Sequence, residues 1–203
     1  AHHLDSGALT PGSCGIVDAI DAYAEGLQFK AIKVYEQGQK VVPVWHLLHD
    51  NIRVSDLVVG DMEAQIAAAR FGAEQLGELI NRYGPTTFAV ACDAVMSYAE
   101  RLMRQAIAAL PDGRYSATNY IDGYLDDPDP ARRDLPLVVT INIEDDEMTV
   151  DLTGTTPQVS DRPINMPLEG TVDIAIWLTV RSVLLDTETH GHIPVNDGLV
   201  RPI

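Results

Sequence analysis

Seven apolar residues, spaced alternately by four and three positions, leave few choices for the middle of this chain. They are Met62, Ile66, Ala69, Ala73, Leu76, Ile80 and Tyr83. The spacing predicts a helix that buries one stripe of side chains against another helix. Asp61 is the candidate N-cap, and Gly84-Pro85 indicates the C-terminal end. Gly72 and Gly77 inside this helix each cost about 1 kcal/mol relative to alanine, so we expect a closely packed neighbour beside them.

A second helix is predicted to begin at Thr86 or Thr87 and to end before Pro111-Asp112-Gly113. One face of it is apolar and carries Phe88, Ala91, Cys92, Val95, Ala99, Leu102, Met103, Ala106 and Leu110. Only two or three residues separate the two helices, which predicts an antiparallel helical hairpin. Because Cys92 lies on the apolar face, we expect it to be buried and inert.

Elsewhere the apolar pattern predicts strands and one more helix. Strands are expected at residues 29–35, 115–120, 137–143 and 148–152, with a hairpin turn at Glu144-Asp145-Asp146-Glu147. The segment from Val172 to Leu185 is apolar almost all round, which predicts a buried helix. The fold class is therefore α+β: an antiparallel helical hairpin, mixed or antiparallel strands and a buried C-terminal helix. We expect one region, divided into 1–58, 59–111 and 112–203.

Composition narrows the partners and the compartment. A net charge of -16 argues against nucleic acid, which requires clustered lysine and arginine. No apolar run approaches the roughly 20 residues of a membrane span. Two cysteines in an acidic chain of this length favour the cytoplasm. The chain begins without methionine and stops after an apolar segment, so we expect an interior piece of a longer chain.

The densest group of potential metal ligands is the opening segment, Ala1-His2-His3-Leu4-Asp5. Imidazole and carboxylate are ligands of Zn, Mn and Fe. In an extended segment His3 and Asp5 share one face, so the segment supplies part of a site and not all of it. The alternative is the remnant of an expression tag.

Two further groups favour ordinary structural roles. A short helix is expected after Pro43, and it brings His46 and His49 onto one face, where a solvated edge is a simpler interpretation than a metal site. The acidic segment from Asp126 to Pro130 lacks the pattern of an EF-hand loop and predicts a solvated turn. The chain has no phosphate-binding glycine loop, so nucleotide chemistry would need another chain or another part of this one.

Taken in order, several short segments resemble the hydantoinase B/5-oxoprolinase family, which includes the corresponding subunits of acetone and acetophenone carboxylases. They are Ala1-His2-His3-Leu4-Asp5, Pro11-Gly12-Ser13, Glu25-Gly26-Leu27, Asn51-Ile52-Arg53, Gly60-Asp61-Met62-Glu63-Ala64-Gln65, Arg82-Tyr83-Gly84, Ala109-Leu110-Pro111-Asp112-Gly113, Tyr115, Asp151-Leu152-Thr153-Gly154 and Pro163-Ile164-Asn165. The order and spacing of these segments, which span nearly the whole chain, carry the resemblance more than any one of them does.

The resemblance implies a B-type subunit that works beside an ATP-using hydantoinase A-type subunit and opens a cyclic amide of the hydantoin or 5-oxoproline type at a divalent metal, Zn or Mn. His2 and His3 are the candidate metal ligands, of which the resemblance implies one, and this removes the tag explanation. Asp5 and Glu25 are the catalytic candidates, and Asn165 is the candidate contact to the small-molecule substrate.

Two alternatives remain open: a subunit of an ATP-dependent ketone carboxylase, and a non-catalytic scaffold segment. The family's upstream His-x-x-Asp element is missing from this sequence. Leu4-Asp5-Ser6-Gly7 also replaces the usual double glycine, so the substrate is not carried over from the family.

Overall fold

The computed structural model describes residue 7 and residues 21–123, 126–159 and 166–203. The helices and strands in chain order are β1 Tyr35–Glu36, β2 Gln39–Lys40, α1 Val42–Asn51, α2 Ser55–Tyr83, α3 Pro85–Ala108, β3 Gly113–Asp122, β4 Asp134–Glu144, β5 Glu147–Asp151, α4 Asp173–Leu184 and α5 Thr187–His190. Two short 3-10 turns, Pro130–Arg132 and Asp197–Val200, and a kinked helical turn, Leu168–Val172, complete the set.

The chain divides into two compact units, Ala1–Arg82 with Val159–Asn165 and Tyr83–Gln158 with Met166–Ile203. The predicted division into 1–58, 59–111 and 112–203 stays a prediction. The two long helices that the sequence predicts are both present, but they belong to different units. Their antiparallel packing also stays a prediction.

The core of the first unit is small and joins α1 to the beginning of α2. Leu48 and Ile52 pack there with Val58, and Leu27, Val44 and Met62 surround them. Pro43 lies in the first turn of α1, where the backbone N–H groups have no partner within the helix, so the missing N–H of proline costs no hydrogen bond. The helix predicted after Pro43 is confirmed.

Helix α2 is longer than predicted and lies largely exposed. It begins at Ser55, so Asp61 is an interior residue and not the N-cap. A Cβ built on Gly72 or Gly77 meets no atom beyond the helix's own backbone within 4 Å. The expected close neighbour is therefore absent within the described chain, and the prediction was wrong on this point.

The second unit has the larger core, built where the second half of α3 lies against the sheet. Ala99, Met103 and Ile107, spaced by four residues, are 0% exposed. Ile143 from β4 and Met148 from β5 pack against them, and the C-terminal segment adds Leu185, Ile193 and Leu199. The first half of α3 lies outside this core. Cys92 is consequently exposed, and the expectation that it is buried was wrong.

The sheet of this unit is antiparallel, with strand order β3-β4-β5. Its register pairs Gly113 with Ile143 and Asp122 with Asp134, and Ile143 in turn with Met148. Asp145, in the turn between β4 and β5, has a φ of 55°, which the two-residue hairpin requires. The predicted strands and hairpin in this region are confirmed. By contrast, residues 29–34 form no strand, because only Tyr35–Glu36 has a partner strand.

Helix α4 is present where the sequence predicts a helix, but the expectation that it is buried was wrong. None of its residues is buried, and Val183 is 76% exposed. Val180 and Leu184 pack against the edge of the core, and the buried position, Leu185, comes just after the helix. One stripe of α4 thus has neighbours in the described chain, while the remaining apolar surface faces outward.

The acidic segment after β3 is less solvated than the sequence suggests. Asp127 is only 5% exposed, and its carboxylate lies 3.5 Å from Nε of Arg132. Its Oδ1 accepts a hydrogen bond from the backbone N–H of Asp129, and its backbone oxygen accepts one from Nε of Arg133. The prediction of a solvated turn was therefore wrong for Asp127, whose carboxylate is buried and paired with arginine.

With long helices followed by an antiparallel sheet, the α+β prediction is confirmed. In the described residues, every helix is too short or too polar to cross a lipid bilayer.

Candidate functional site

The segment that carries Glu25 is a turn capped by an aspartate. Oδ1 of Asp21 accepts hydrogen bonds from the backbone N–H groups of Tyr23 and Ala24, at 3.0 and 3.1 Å. Nε2 of Gln28 donates to the backbone oxygen of Ala22 at 2.8 Å. These bonds hold both sides of the turn, and Glu25 follows it with its side chain exposed. Glu25 is therefore an exposed residue that follows a hydrogen-bonded turn.

Gly7 connects the end of the opening segment to the residues after Glu25. Its φ is +83°, a left-handed conformation that glycine adopts without strain. A Cβ built on Gly7 would lie 2.8 Å from Cγ of Leu27 and 2.9 Å from the backbone oxygen of Asn51. The backbone at Gly7 therefore lies against both Leu27 and the last residue of α1, at a distance that any other side chain would prevent.

Helix α1 is positioned by a cluster of rings and charges around Trp45. The ring of Trp45 meets that of Tyr35 edge-on, with centroids 5.7 Å apart. Its Nε1 donates to the backbone oxygen of Val34 at 2.8 Å, and Nζ of Lys40 lies 4.6 Å from the ring centroid. Lys40 also forms an ion pair with Glu63 of α2. These contacts hold the hairpin of β1 and β2 on the same helix that ends at Asn51.

The two histidines of α1 lie on its exposed side. Nδ1 of His49 lies 3.5 Å from Oδ1 of Asp50, and its Nε2 lies 3.6 Å from Oδ1 of Asp56. Asp56 was not expected there, because the predicted α2 began later. The bend between the two helices brings Asp56 beside His49, and no sequence period signals such a bend.

Of the residues predicted for the site, Glu25 alone is described. His2, His3, Asp5 and Asn165 lie outside the described residues. Across residue 7 and residues 21–123, 126–159 and 166–203, no cluster of three or more His, Cys, Asp or Glu side chains could hold a metal ion. Sequence reasoning did not single out Gly7 as a packing residue. The sole signal was its place at the end of the ligand-rich segment.

The second unit holds a separate charged cluster centred on Arg104 of α3. Its guanidinium contacts Glu100 at 3.0 Å and, from the turn between β4 and β5, Glu147 at 3.1 Å and Asp146 at 3.3 Å. Arg201 also binds Glu100, at 2.9 Å. Hydrogen bonds from Arg201 and then Arg104 lower the pKa of the Glu100 carboxyl, and the bonds to Glu100 and Glu147 raise the pKa of Arg104. The cluster ties the helix, the sheet and the C-terminal turn together.

Comparison with known proteins places this arrangement in a wider context. The family model described as hydantoinase B/oxoprolinase matches residues 1–203. A protein of Pseudomonas sp. (strain NS671), described as the B-type subunit of a "Putative D-/L-hydantoinase", is 63% identical over 203 residues, which is all of this chain and 34% of that protein.

Two solved structures share the fold over 100% of this chain, each with a TM-score of 0.79. One is the ATP-dependent caprolactamase from Pseudomonas jessenii, 28% identical, of which 33% is covered. The other is a nucleotide-free acetone carboxylase, 18% identical, of which 27% is covered; at that identity the match shows the fold alone. This chain spans about a third of the length of the two Pseudomonas relatives. On the match to the family model along its whole length, the chain belongs to the hydantoinase B/oxoprolinase family.

Proposed function

We propose that this chain is part of the B-type subunit of an ATP-dependent amidohydrolase, which opens a cyclic amide of the hydantoin or 5-oxoproline type. A hydantoinase A-type subunit would use the ATP, and the complex would work in the cytoplasm. Family membership and the 63% identical hydantoinase relative support this assignment. The substrates in the names of the family, the hydantoinase relative and the caprolactamase are of one chemical class, because hydantoin, caprolactam and 5-oxoproline are all cyclic amides.

The observation that carries the proposal is the close approach of Gly7 to Leu27 and Asn51. Gly7 follows the imidazoles of His2 and His3 by five and four residues, and Leu27 follows Glu25 by two. The two sequence segments that hold the proposed ligands and a proposed catalytic carboxylate are therefore joined through a contact with no room for a side chain. Such a fixed junction is what a site assembled from separate segments needs, since reacting groups must be held to within about 0.5 Å.

The donor set fits a divalent ion. His2 and His3 would hold zinc or manganese with Asp5 in support, because imidazole and carboxylate suit both metals. When bound, the ion supplies Lewis-acid polarisation of a carbonyl or a more acidic water. Further ligands would have to join them, because one short segment supplies only part of a metal site.

The other residues of this chain would handle protons and orientation. Glu25 is an exposed residue at the end of the turn capped by Asp21, and its carboxylate would accept a proton from water or return one to a leaving nitrogen. The amide of Asn165 would orient the substrate, donating from its nitrogen and accepting at its oxygen.

A matched pair of glycine substitutions tests the proposal in the full-length subunit assembled with its ATP-using partner. Gly7 and Gly38 have similar φ values, +83° and +77°, but only Gly7 is crowded. We expect Gly7→Ala to lower the bound metal and the ATP-dependent ring opening at least tenfold, and Gly38→Ala to leave both near the parent values. Equal effects of the two substitutions would contradict the role of the Gly7 junction.

Substitution of the proposed ligands addresses the chemistry itself. His2→Ala with His3→Ala should remove the metal, measured by elemental analysis, and abolish turnover while the complex still assembles. Unchanged turnover would favour the scaffold alternative. Because the fold is shared with an acetone carboxylase, the same preparation is assayed with ketones and bicarbonate; turnover that requires bicarbonate would favour a carboxylase.

A further inference from the structure

The outer edge of β3 is the longest unpaired strand edge in the described chain. β3 has ten residues, and those after Gly113 are all exposed, with Tyr120 at 61%. The opposite edge of the sheet is occupied at one point, because the backbone N–H of Met148 in β5 donates to the oxygen of Pro202 at 2.7 Å. Sheets usually protect a free edge with proline, lysine or a bulge. β3 carries neither residue, and its pairing with β4 is uninterrupted.

The hydrogen-bond phase of β3 follows from the bonds at its end. The N–H of Gly123 donates to the oxygen of Arg133 at 2.7 Å, in line with the pairing of Asp122 with Asp134. Odd-numbered residues of β3 therefore bond to β4, and the backbone groups of even-numbered residues point outward. Tyr120 agrees with this phase, since its N–H bonds to the neighbouring Asn119 side chain at 2.9 Å instead of to β4.

The outward residues carry a positive charge at one end of β3 and a negative charge at the other, so two antiparallel copies of the strand have complementary charges. In an antiparallel pair of two β3 strands centred on Thr118, Arg114 faces Asp122 of the other copy and Ser116 faces Tyr120. Thr118 then faces its own counterpart. All of these are residues whose backbone groups point outward, so each pair is in hydrogen-bonding register; in the Ser116–Tyr120 pairs the N–H of Tyr120 exchanges its bond to the Asn119 side chain for one to the other copy. The two-fold axis places an Arg–Asp pair at both ends. A shift of two residues in either direction leaves Arg114 without Asp122.

From this match of phase and charge we propose that β3 binds the β3 strand of a second copy, which makes one continuous six-stranded sheet across a two-fold axis. The pairing adds backbone hydrogen bonds along the strand, as β-augmentation does for peptide ligands. The end pairs fix its register, because like charges directly opposite each other are destabilising. The proposal concerns the second unit alone and does not depend on the proposed function.

Disulfide crosslinking in the full-length protein tests the register, in a background whose native cysteines, including Cys14 and Cys92, are replaced by serine. Opposite residues of a hydrogen-bonded pair lie about 5.5 Å apart at Cα, within disulfide range. We expect Thr118→Cys to give a crosslinked dimer under mild oxidation. Ser116→Cys should give none, because Ser116 faces Tyr120, whereas the combination of Ser116→Cys and Tyr120→Cys should crosslink.

Sedimentation equilibrium tests the charge pairs. Arg114→Glu places two like-charge pairs in the interface and should weaken dimerisation about tenfold or more. Adding Asp122→Arg should restore it. Thr118→Pro should abolish the dimer but keep the fold, because the lost N–H points away from β4; circular dichroism checks the fold. A protein that stays monomeric, or one in which Ser116→Cys crosslinks as well as Thr118→Cys, would overturn the proposal.

Discussion

Replacing Met103 by alanine should test the core of the second unit most severely. Met103 is 0% exposed and lies between Ala99 and Ile107 on the face of α3 that meets the sheet. Substitution of a fully buried methionine by alanine costs about 2–5 kcal/mol, of which part is the cavity left behind. Ala99 is too small to fill that cavity, so we expect a loss of about 3 kcal/mol, which lowers the folded-to-unfolded ratio more than a hundredfold.

The assay is urea unfolding followed by the fluorescence of Trp177 on α4, with Trp45→Phe removing the other tryptophan. Met166→Ala is the matched control, because Met166 belongs to the same unit but is 60% exposed; its effect should stay within about 0.5 kcal/mol. Met103→Leu, which nearly conserves volume, should cost less than about 1.5 kcal/mol and keeps the test readable if the alanine variant does not fold. A loss for Met103→Ala no larger than that of the Met166 control would refute the assigned core.

Three further substitutions probe other parts of the structure. Hydrogen bonds from Arg201 and Arg104 lower the pKa of Glu100, so the ionised carboxylate stabilises the fold above its ordinary pKa of 4.5 and this stabilisation is lost as pH falls. Glu100→Gln should therefore be less stable than the parent near pH 7, and the difference in free energy of unfolding should shrink as the pH is lowered below 4.5. A difference that stays the same at all pH values would contradict this. Gly198→Ala should cost about 2 kcal/mol in urea unfolding, because its Cβ would overlap the backbone oxygen of Met96, whereas no loss would show that the turn can move. With the other cysteine replaced by serine, exposed Cys92 should react with a maleimide in the native protein about as fast as in urea, and strong protection would mean that a partner covers it.

Sequence periodicity was sufficient to predict that helices α1 to α4 and the three-stranded sheet exist, although not every boundary. The four-residue spacing of Ala99, Met103 and Ile107 belongs to the predicted apolar face of α3, and the core forms there. Alternation predicted β4 and β5, and the acidic pair between them predicted their turn. These elements are set by local pattern, which a single sequence contains.

The apolar pattern of the sequence does not show which part of the chain covers each apolar face. Cys92 and Val183 both lie on predicted apolar surface, yet both are exposed, because the core covers only part of each helix. Likewise α2 begins before Asp61 because Val58 packs against Leu48 and Ile52, which are distant contacts for a local pattern. Residues 29–34 alternate like a strand but have no partner to bond.

For the candidate site, sequence reasoning named the reactive groups but not the contact that joins their segments. The imidazoles of His2 and His3 and the carboxylates of Asp5 and Glu25 were singled out by side-chain chemistry. The tight contact of Gly7 with Leu27 and Asn51 depends on three-dimensional packing of a residue without a side chain. The roles of all four reactive groups stay predictions.

The length of α2 has a dynamic consequence. Its 29 residues extend for roughly 44 Å at 1.5 Å per residue, while its buried residue, Val58, lies in the first turns. Amides near Val58 should exchange with deuterium only when the first unit opens, whereas those beyond Gly72 should exchange through local fraying, many times faster. Slow exchange spreading along the whole helix in a purified complex would then report, amide by amide, how far a bound neighbour reaches.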